Sequence, residues 1–327
     1  MNKILKLIVG IAISIAGLWY AFRGMNFSEL IDHLSQTNFS FILLAMGIIV
    51  VSVALRAYRW QLMLKPIQTI TFNPLFASTM IGYFGNSVLP FRLGEILRAY
   101  AISRSDTITT SAAFGTIIIE RLLDLIGLAA VMIFFAFFSP LMEWSGHVLV
   151  VLVILTVGGL VIIIWLGKSH SNFHEQVVHW KIFEKTSGQK LLSSIQNIFK
   201  GIISIGETKH TFALVLLTLA LWVLYYICTV LVVMATGIEL TWVAAGIVLI
   251  ATTLAITVPS APGYVGTYHA AAVYVLVNLF NSGLTESQVF AVLIHAVGFI
   301  PLVLFGFMYF LRSSIQIKDV QSKEIAQ

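Results

Sequence analysis

Apolar residues run along this chain in long blocks rather than in the stripes of a soluble helix. About 20 apolar residues are needed to cross the hydrocarbon core of a bilayer as a helix. Six stretches reach that length: 4–22, 39–64, 112–138, 147–167, 211–235 and 288–311. Two more, 74–104 and 242–280, are long and apolar but broken in the middle, at LPFRLG and VPSAPGYVG. Residues 74–89 are short for a span, and 91–104 carry too much charge to face lipid. Each broken region therefore predicts a helical hairpin with a non-helical tip. Irregular backbone at membrane depth is tolerated only inside protein or beside water, which puts both hairpins at the centre. The expected fold is an all-α polytopic membrane protein, about six full spans plus two re-entrant or broken helical hairpins. Residues 189–208 read as an amphipathic helix on the membrane surface, and 27–38 as a short interfacial one.

Composition agrees. Of 327 residues, 59% are hydrophobic and 10% charged, where a soluble domain carries about a quarter charged. The whole chain, 1–327, is read as one integral membrane domain. The formal charge of +5 fits basic cytoplasmic loops better than nucleic acid, for which no motif is present. With the N-terminus inside, Arg56, Arg59, Lys65, the loop with Lys168, Lys181, Lys185, Lys190, Lys200 and Lys209, and the tail with Arg312, Lys318 and Lys323 all fall on the cytoplasmic side. Outside connections hold Glu29, Asp32, Glu143, Glu239 and Glu286, with Arg23 their single basic residue. Both termini are thus expected in the cytoplasm. The lone Cys228 offers neither a disulfide framework nor a zinc site, and no nucleotide, metal or cofactor motif appears.

The two halves resemble each other. PFRLG at 90–94 and PSAPG at 259–263 share a Pro-x-x-x-Gly break, and SAAF at 111–114 matches SQVF at 287–290. The expected organisation is a first span 4–22, a unit 39–138, a connecting span with a cytoplasmic amphipathic loop 147–210, a second unit 211–311 and a tail 312–327. The units point in opposite directions, a candidate inverted repeat of the kind common in secondary transporters.

Six ionisable residues stand in or beside apolar sequence in the first unit: Arg92, Glu95, Arg98, Glu120, Arg121 and Asp124. An isolated charge at the helix centre costs about 2.5–3.5 kcal/mol even on the lenient scale, so these must pair or line water. Spacing puts Arg92, Glu95 and Arg98 on one face as plus, minus, plus, and Glu120 with Asp124 one turn apart. Three charges of each sign form a set expected to neutralise itself when empty, so an anionic guest would favour uptake of a proton or other cation. The arginines suit phosphate. Helices restarting after Pro90 and Pro262 would aim free N–H groups at it. From the second tip, Ser260, Tyr264, Thr267, Tyr268 and His269 could hydrogen-bond a sugar or glycerol. Pro90, Gly94, Pro259, Pro262, Gly263 and Gly266 shape the tips. Two plainer readings stand beside this one: residues 92–104 as an interfacial helix among lipid phosphates, and ERLLD at 120–124 as a structural ion-pair network. His295 reads as a hydrogen-bonded packing residue rather than a proton carrier.

NSVLPFRLGEILRAY at 86–100, ERLLDLIGL at 120–128 and PSAPGYVGTYHAA at 259–271 together resemble the flippase-like family related to the transmembrane part of lysylphosphatidylglycerol synthase, the UPF0104 membrane proteins. The family's pattern falls on Pro90, Arg92, Gly94, Glu95 and Arg98, on Glu120, Arg121 and Asp124, and on Pro259, Pro262, Gly263 and Gly266. Tyr264 departs from it, standing where a second glycine often follows the first. The resemblance implies handling of lipid, and the chain holds no sequence for the domain that would transfer lysine from tRNA. The expected function is a lipid transporter or flippase for an anionic phospholipid, glycolipid or polyprenyl-phosphate-linked headgroup, with membrane lipids as partners and no cofactor. The alternatives are a polytopic glycosyl or phosphoryl transferase using Glu95, Glu120 or Asp124, and a non-catalytic membrane subunit.

Overall fold

The hydrophobic blocks fold as helices, and the chain breaks where proline and glycine interrupt them. The computed structural model describes residues 3–89, 92–139, 186–258, 260–313 and 315, with isolated positions between 150 and 158. Among the described residues every regular element is helical. Helix α1 (Lys3–Phe22) meets α2 (Phe27–Gln36) at a bend of 80°. Asn26 caps α2 by accepting from the Ser28 N–H, and Phe27 and Ile31 stand exposed on it. Then follow α3 (Phe39–Leu64), α4 (Phe72–Val88), α5 (Gly94–Ser105), α6 (Thr110–Ala136) and α7 (Thr186–Glu207). The second half holds α8 (Thr211–Thr236), α9 (Trp242–Thr257), α10 (Thr267–Tyr274) with a wider π turn over Val275–Leu279, and α11 (Leu284–Arg312).

Three of these, α3, α8 and α11, are long and apolar enough to cross a membrane alone, and the bent pair of α1 and α2 makes a fourth if it counts as one span. The expectation of about six full spans is therefore met by fewer among the described residues. The α6 helix has 27 residues, but Glu120, Arg121 and Asp124 interrupt its apolar run. The stretch 147–167 lies almost wholly outside the described residues.

Both broken regions fold back. Gln68 Nε2 donates to Asp106 Oδ1 and Thr107 Oγ1, so the chain enters and leaves the α4–α5 unit at one end. With 17 and 12 residues, α4 and α5 are about 25 and 18 Å long, and α5 falls well short of the ~30 Å hydrocarbon core. They pack through glycine: a Cβ on Gly85 would stand 2.8 Å from Gly94 Cα, and one on Gly94 would land on the Gly82 carbonyl and Asn86. Small residues at such a seam let two backbones close on each other. In the second half α9 and α10 fold back around residues 258–266. Gly263 (φ 73°) and Gly266 (φ 99°) supply the left-handed turns.

The two hairpins pack between the long helices. Helix α3 lies along α8, α4 along α11, and α9 along both α8 and α6. One core cluster joins α3, α8, α10 and α11 around Val232, Ala272 and Phe290. A second joins α3, α4, α5 and α6 around Trp60, Leu75, Ala99 and Ile117. The amphipathic α7 crosses α6 where Gly201 meets Gly115.

Candidate functional site

Helix α6 places Glu120 and Asp124 one turn apart on the face turned toward α3 and α5. Glu120 is completely buried. Arg98, from α5, holds it with both nitrogens, Nη1 to Oε1 at 2.9 Å and Nη2 to Oε2 at 3.0 Å. The fork geometry of guanidinium and carboxylate favours such a pair. The Arg98 guanidinium also lies 3.9 Å over the Trp60 ring, and Trp60 Nε1 donates to Thr116 Oγ1 at 2.8 Å. From α3, Arg56 Nη1 reaches Glu120 Oε1 at 2.6 Å and Asp124 Oδ2 at 2.8 Å. Its Nη2 donates to the Tyr225 hydroxyl at 3.1 Å. Arg59 binds Asp124 Oδ1 at 2.6 Å and Thr218 Oγ1 at 2.8 Å. Arg121 closes the set, 2.6 Å from Glu120 Oε1, 3.4 Å from Asp124 Oδ2 and 3.6 Å from Glu95 Oε1.

This overturns the expected neutrality. Arg56, Arg59, Arg98 and Arg121 face Glu95, Glu120 and Asp124, four positive against three negative, a surplus of one positive charge. The desolvation of each ion costs several kcal/mol, which only shared partners offset. Among the described residues the Nε–H of all four arginines is buried with no acceptor. The cluster is sealed at Arg59, Arg98 and Glu120 but open along one rim, where the side chains of Arg121, Asp124 and Glu95 are 37%, 20% and 18% exposed.

The expected plus-minus-plus face does not form, because Arg92 precedes the first turn of α5 and takes a left-handed conformation, φ 56°. No ion pair joins Glu95 to Arg92 or Arg98 among the described residues. Arg92 instead crosses to the second hairpin. Its Nη2 donates to the Ile256 carbonyl at 2.8 Å, in the last turn of α9, and its guanidinium lies 5.5 Å over the Tyr264 ring. A cation at a helix C-terminus and over an aromatic face is doubly favoured. The tips of the two hairpins thus meet at Arg92.

The remaining candidate residues are spread more widely. Gly94 opens α5 inside the α4 seam; Pro90 and Pro259 lie outside the described residues. Pro262, Gly263 and Gly266 form the second turn, where Ser260 Oγ is buried with no partner among the described residues. Tyr264 has φ 59°, a conformation that suits glycine. Thr267 donates to the Tyr264 carbonyl at 3.3 Å, and Tyr268 and His269 pack with His295 rather than with the arginines. His295 is hydrogen-bonded, as expected, to the Gly263 carbonyl at 2.8 Å.

Arg56 and Arg59 were missed as members of the cluster because charge counting assigns basic residues near the end of a span to the adjacent loop. The signal lay in their depth: Arg56 stands about two turns before the end of α3, and its spacing from Arg59 puts both on one face with Trp60. Tyr225 and Thr218 carried no signal beyond being polar in an apolar run.

A family model described as the lysylphosphatidylglycerol synthase TM region matches residues 7–306. Among curated proteins, the chain is similar to UPF0104 membrane protein MJ1595 of Methanocaldococcus jannaschii, 31% identical over 140 residues, covering 42% of this chain and 40% of that protein. UPF0104 membrane protein PH1989 of Pyrococcus horikoshii is 29% identical over 170 residues, 51% of this chain and 48% of its own length. A third, UPF0104 membrane protein MJ1078 of Methanocaldococcus jannaschii, is 26% identical over 229 residues, 69% of this chain and 93% of that protein. The chain thus spans less than half the length of the first two relatives.

Proposed function

Because the chain belongs to the lysylphosphatidylglycerol synthase TM-region family of membrane proteins, we propose that it moves lipids with an anionic, phosphate-bearing headgroup between leaflets. The observation that carries this reading is the surplus positive charge of the buried cluster, open on one rim beside the junction of the two hairpins. Arg121 on that rim and Arg92 at the tips receive the phosphate. Arg56, Arg59 and Arg98, tied to Glu120 and Asp124, hold the rim in place and set its potential. Tyr264 and Ser260 supply neutral hydrogen bonds to the rest of the headgroup. The surplus charge also means that an anion can bind without first protonating a carboxylate.

The packing supports a two-unit cycle. Helices α3, α4, α5 and α6 follow the same order as α8, α9, α10 and α11, and the α4–α11 contact has its counterpart in α9–α6. Two such units of opposite sense, meeting at their hairpin tips, would open alternately to either side. The excess of Lys and Arg in the loops assigned inside supports cytoplasmic termini.

The test uses liposomes containing a fluorescent anionic phospholipid and the purified protein. Losing a charged hydrogen bond to phosphate is worth about 1.5–3 kcal/mol, so Arg92→Ala and Arg121→Ala should each slow transfer about tenfold or more. Their folding should survive, since both side chains reach solvent. Transfer undiminished in both variants would remove the site from the mechanism. Labelled product from a lipid carrier would turn the reading toward a transferase.

A further inference from the structure

Within the cluster Glu120 and Asp124 are each paired with three guanidiniums. Protonating one would strip its arginines of their counter-charge in a buried setting. A different pair of titratable groups lies beneath the second hairpin tip. His269 on α10 and His295 on α11 have ring centroids 4.6 Å apart, and both grip the backbone of the turn that carries Tyr264.

The turn dictates their tautomers. A carbonyl only accepts, so the contact of His295 Nε2 with Gly263 O at 2.8 Å puts a proton on that nitrogen, which in the neutral ring leaves Nδ1 bare. A backbone N–H only donates, so the 3.5 Å contact from Gly266 N to His269 Nδ1 leaves that nitrogen bare as well. In this arrangement His269 is neutral with its Nδ1 engaged as an acceptor, and a neutral His295 keeps Nδ1 as a free basic nitrogen. The surroundings are apolar or neutral. From α1 come Phe22, 5.7 Å from His269 between centroids, and Ser14, whose hydroxyl accepts from Ala261 N at 2.7 Å. From α11, Phe299 stacks on His295 at 5.2 Å. Tyr268 lies 5.4 Å from His295, with Thr252 of α9 and Cys228 of α8 beyond it. Tyrosine and cysteine stay neutral where imidazole titrates. No lysine, arginine, aspartate or glutamate is ion-paired with either imidazole among the described residues.

We propose that His269 and His295 form a proton-binding site that controls the second hairpin tip. It rests on the transport reading above for its consequence, the coupling of lipid movement to a proton gradient. One proton from water adds to His269 Nδ1 and makes it a donor facing the Gly266 N–H. That contact must break, and the turn holding Tyr264 loosens under Arg92. A second cation one ring away is disfavoured, so the pair takes a single proton.

The experiment replaces Cys228 with serine and labels Val258→Cys, exposed at the start of the turn, with an environment-sensitive fluorophore in nanodiscs of anionic phospholipid. As the pH is lowered from about 8 to about 3 the emission should shift along a single one-proton curve. The shift should vanish in His269→Asn, whose side-chain oxygen still accepts from Gly266 and so preserves the fold, and should change midpoint in His295→Gln. A flat response in the parent, or an unaltered curve in both variants, would overturn the proposal. A curve abolished by His269→Asn in protein that moves no lipid at any pH would uphold the proton site while ending the transport reading. In active liposomes, His269→Asn should lose the dependence of transfer rate on an imposed pH gradient.

Discussion

Glu120 accepts from Arg56, Arg98 and Arg121 and has no contact with solvent. Removing it leaves four arginines against two carboxylates and doubles the surplus charge in the bundle. Breaking a buried charge pair by deleting one partner costs about 3–5 kcal/mol, so Glu120→Ala should unfold the protein or lower its melting temperature in detergent sharply. Glu95→Ala removes one contact at 3.6 Å from a partly exposed rim and should cost less than about 1 kcal/mol. Glu120→Gln, which keeps an acceptor oxygen, should fall between them. The reverse order in a thermal melt would contradict the cluster described above. At this scale the sequence exposed Glu120, Arg121 and Asp124 readily, since charge inside an apolar run is conspicuous. It hid the partners, because Arg56 and Arg59 look like ordinary end-of-span basic residues until α6 is seen packed beside them. Tyr264→Gly belongs at this scale too. It should relieve the left-handed strain at φ 59°, worth about 1 kcal/mol, yet slow lipid transfer by taking the ring from under Arg92.

Helix pairs obey a different constraint, that of backbone approach. The α4–α5 hairpin exists only because Gly82, Gly85 and Gly94 keep its seam free of side chains. Gly94→Ala would press a methyl onto the Gly82 carbonyl and Asn86, an overpacking worth about 1–3 kcal/mol. Gly47→Ala makes a direct contrast: nothing lies within 4 Å of its Cβ position in the middle of α3, so it should stabilise by up to about 1 kcal/mol. Thermal melts of the two variants should move in opposite directions. The hairpins were legible because Pro-x-x-x-Gly cannot continue a helix and because 12 residues of α5 cannot span. Their tip geometry was not. Nothing in the residue types Arg92 or Tyr264 announces a positive φ, which tertiary contacts impose. Among the described residues three helices, or four with the bent pair, meet the length and apolarity of a span, and α6 has that length while its charges belong to an internal site.

For the molecule as a whole, the decisive feature is that the tips of the two hairpins close on each other through Arg92. On the proposed transport reading, tips in contact would stop a headgroup on either side at this junction. The proposed transport would then require one hairpin to withdraw while the other stays seated, because opening both would leave a continuous leak through the bilayer. The two tips should therefore be accessible in turn. Ser87 on α4 and Ser260 on the second turn mark them, and Cys228, buried among α3 and α8, can be replaced to remove background. In sealed vesicles, a charged thiol reagent should modify Ser87→Cys and Ser260→Cys from opposite faces. Adding an anionic phospholipid should raise one rate as it lowers the other, since a ligand can shift a two-state equilibrium only by preferring one state. A static scaffold or partner subunit would give rates indifferent to lipid. Modification of Ser87→Cys from outside and of Ser260→Cys from the cytoplasm under every condition would reverse the assigned senses of both hairpins, and the alternating passage would go with them.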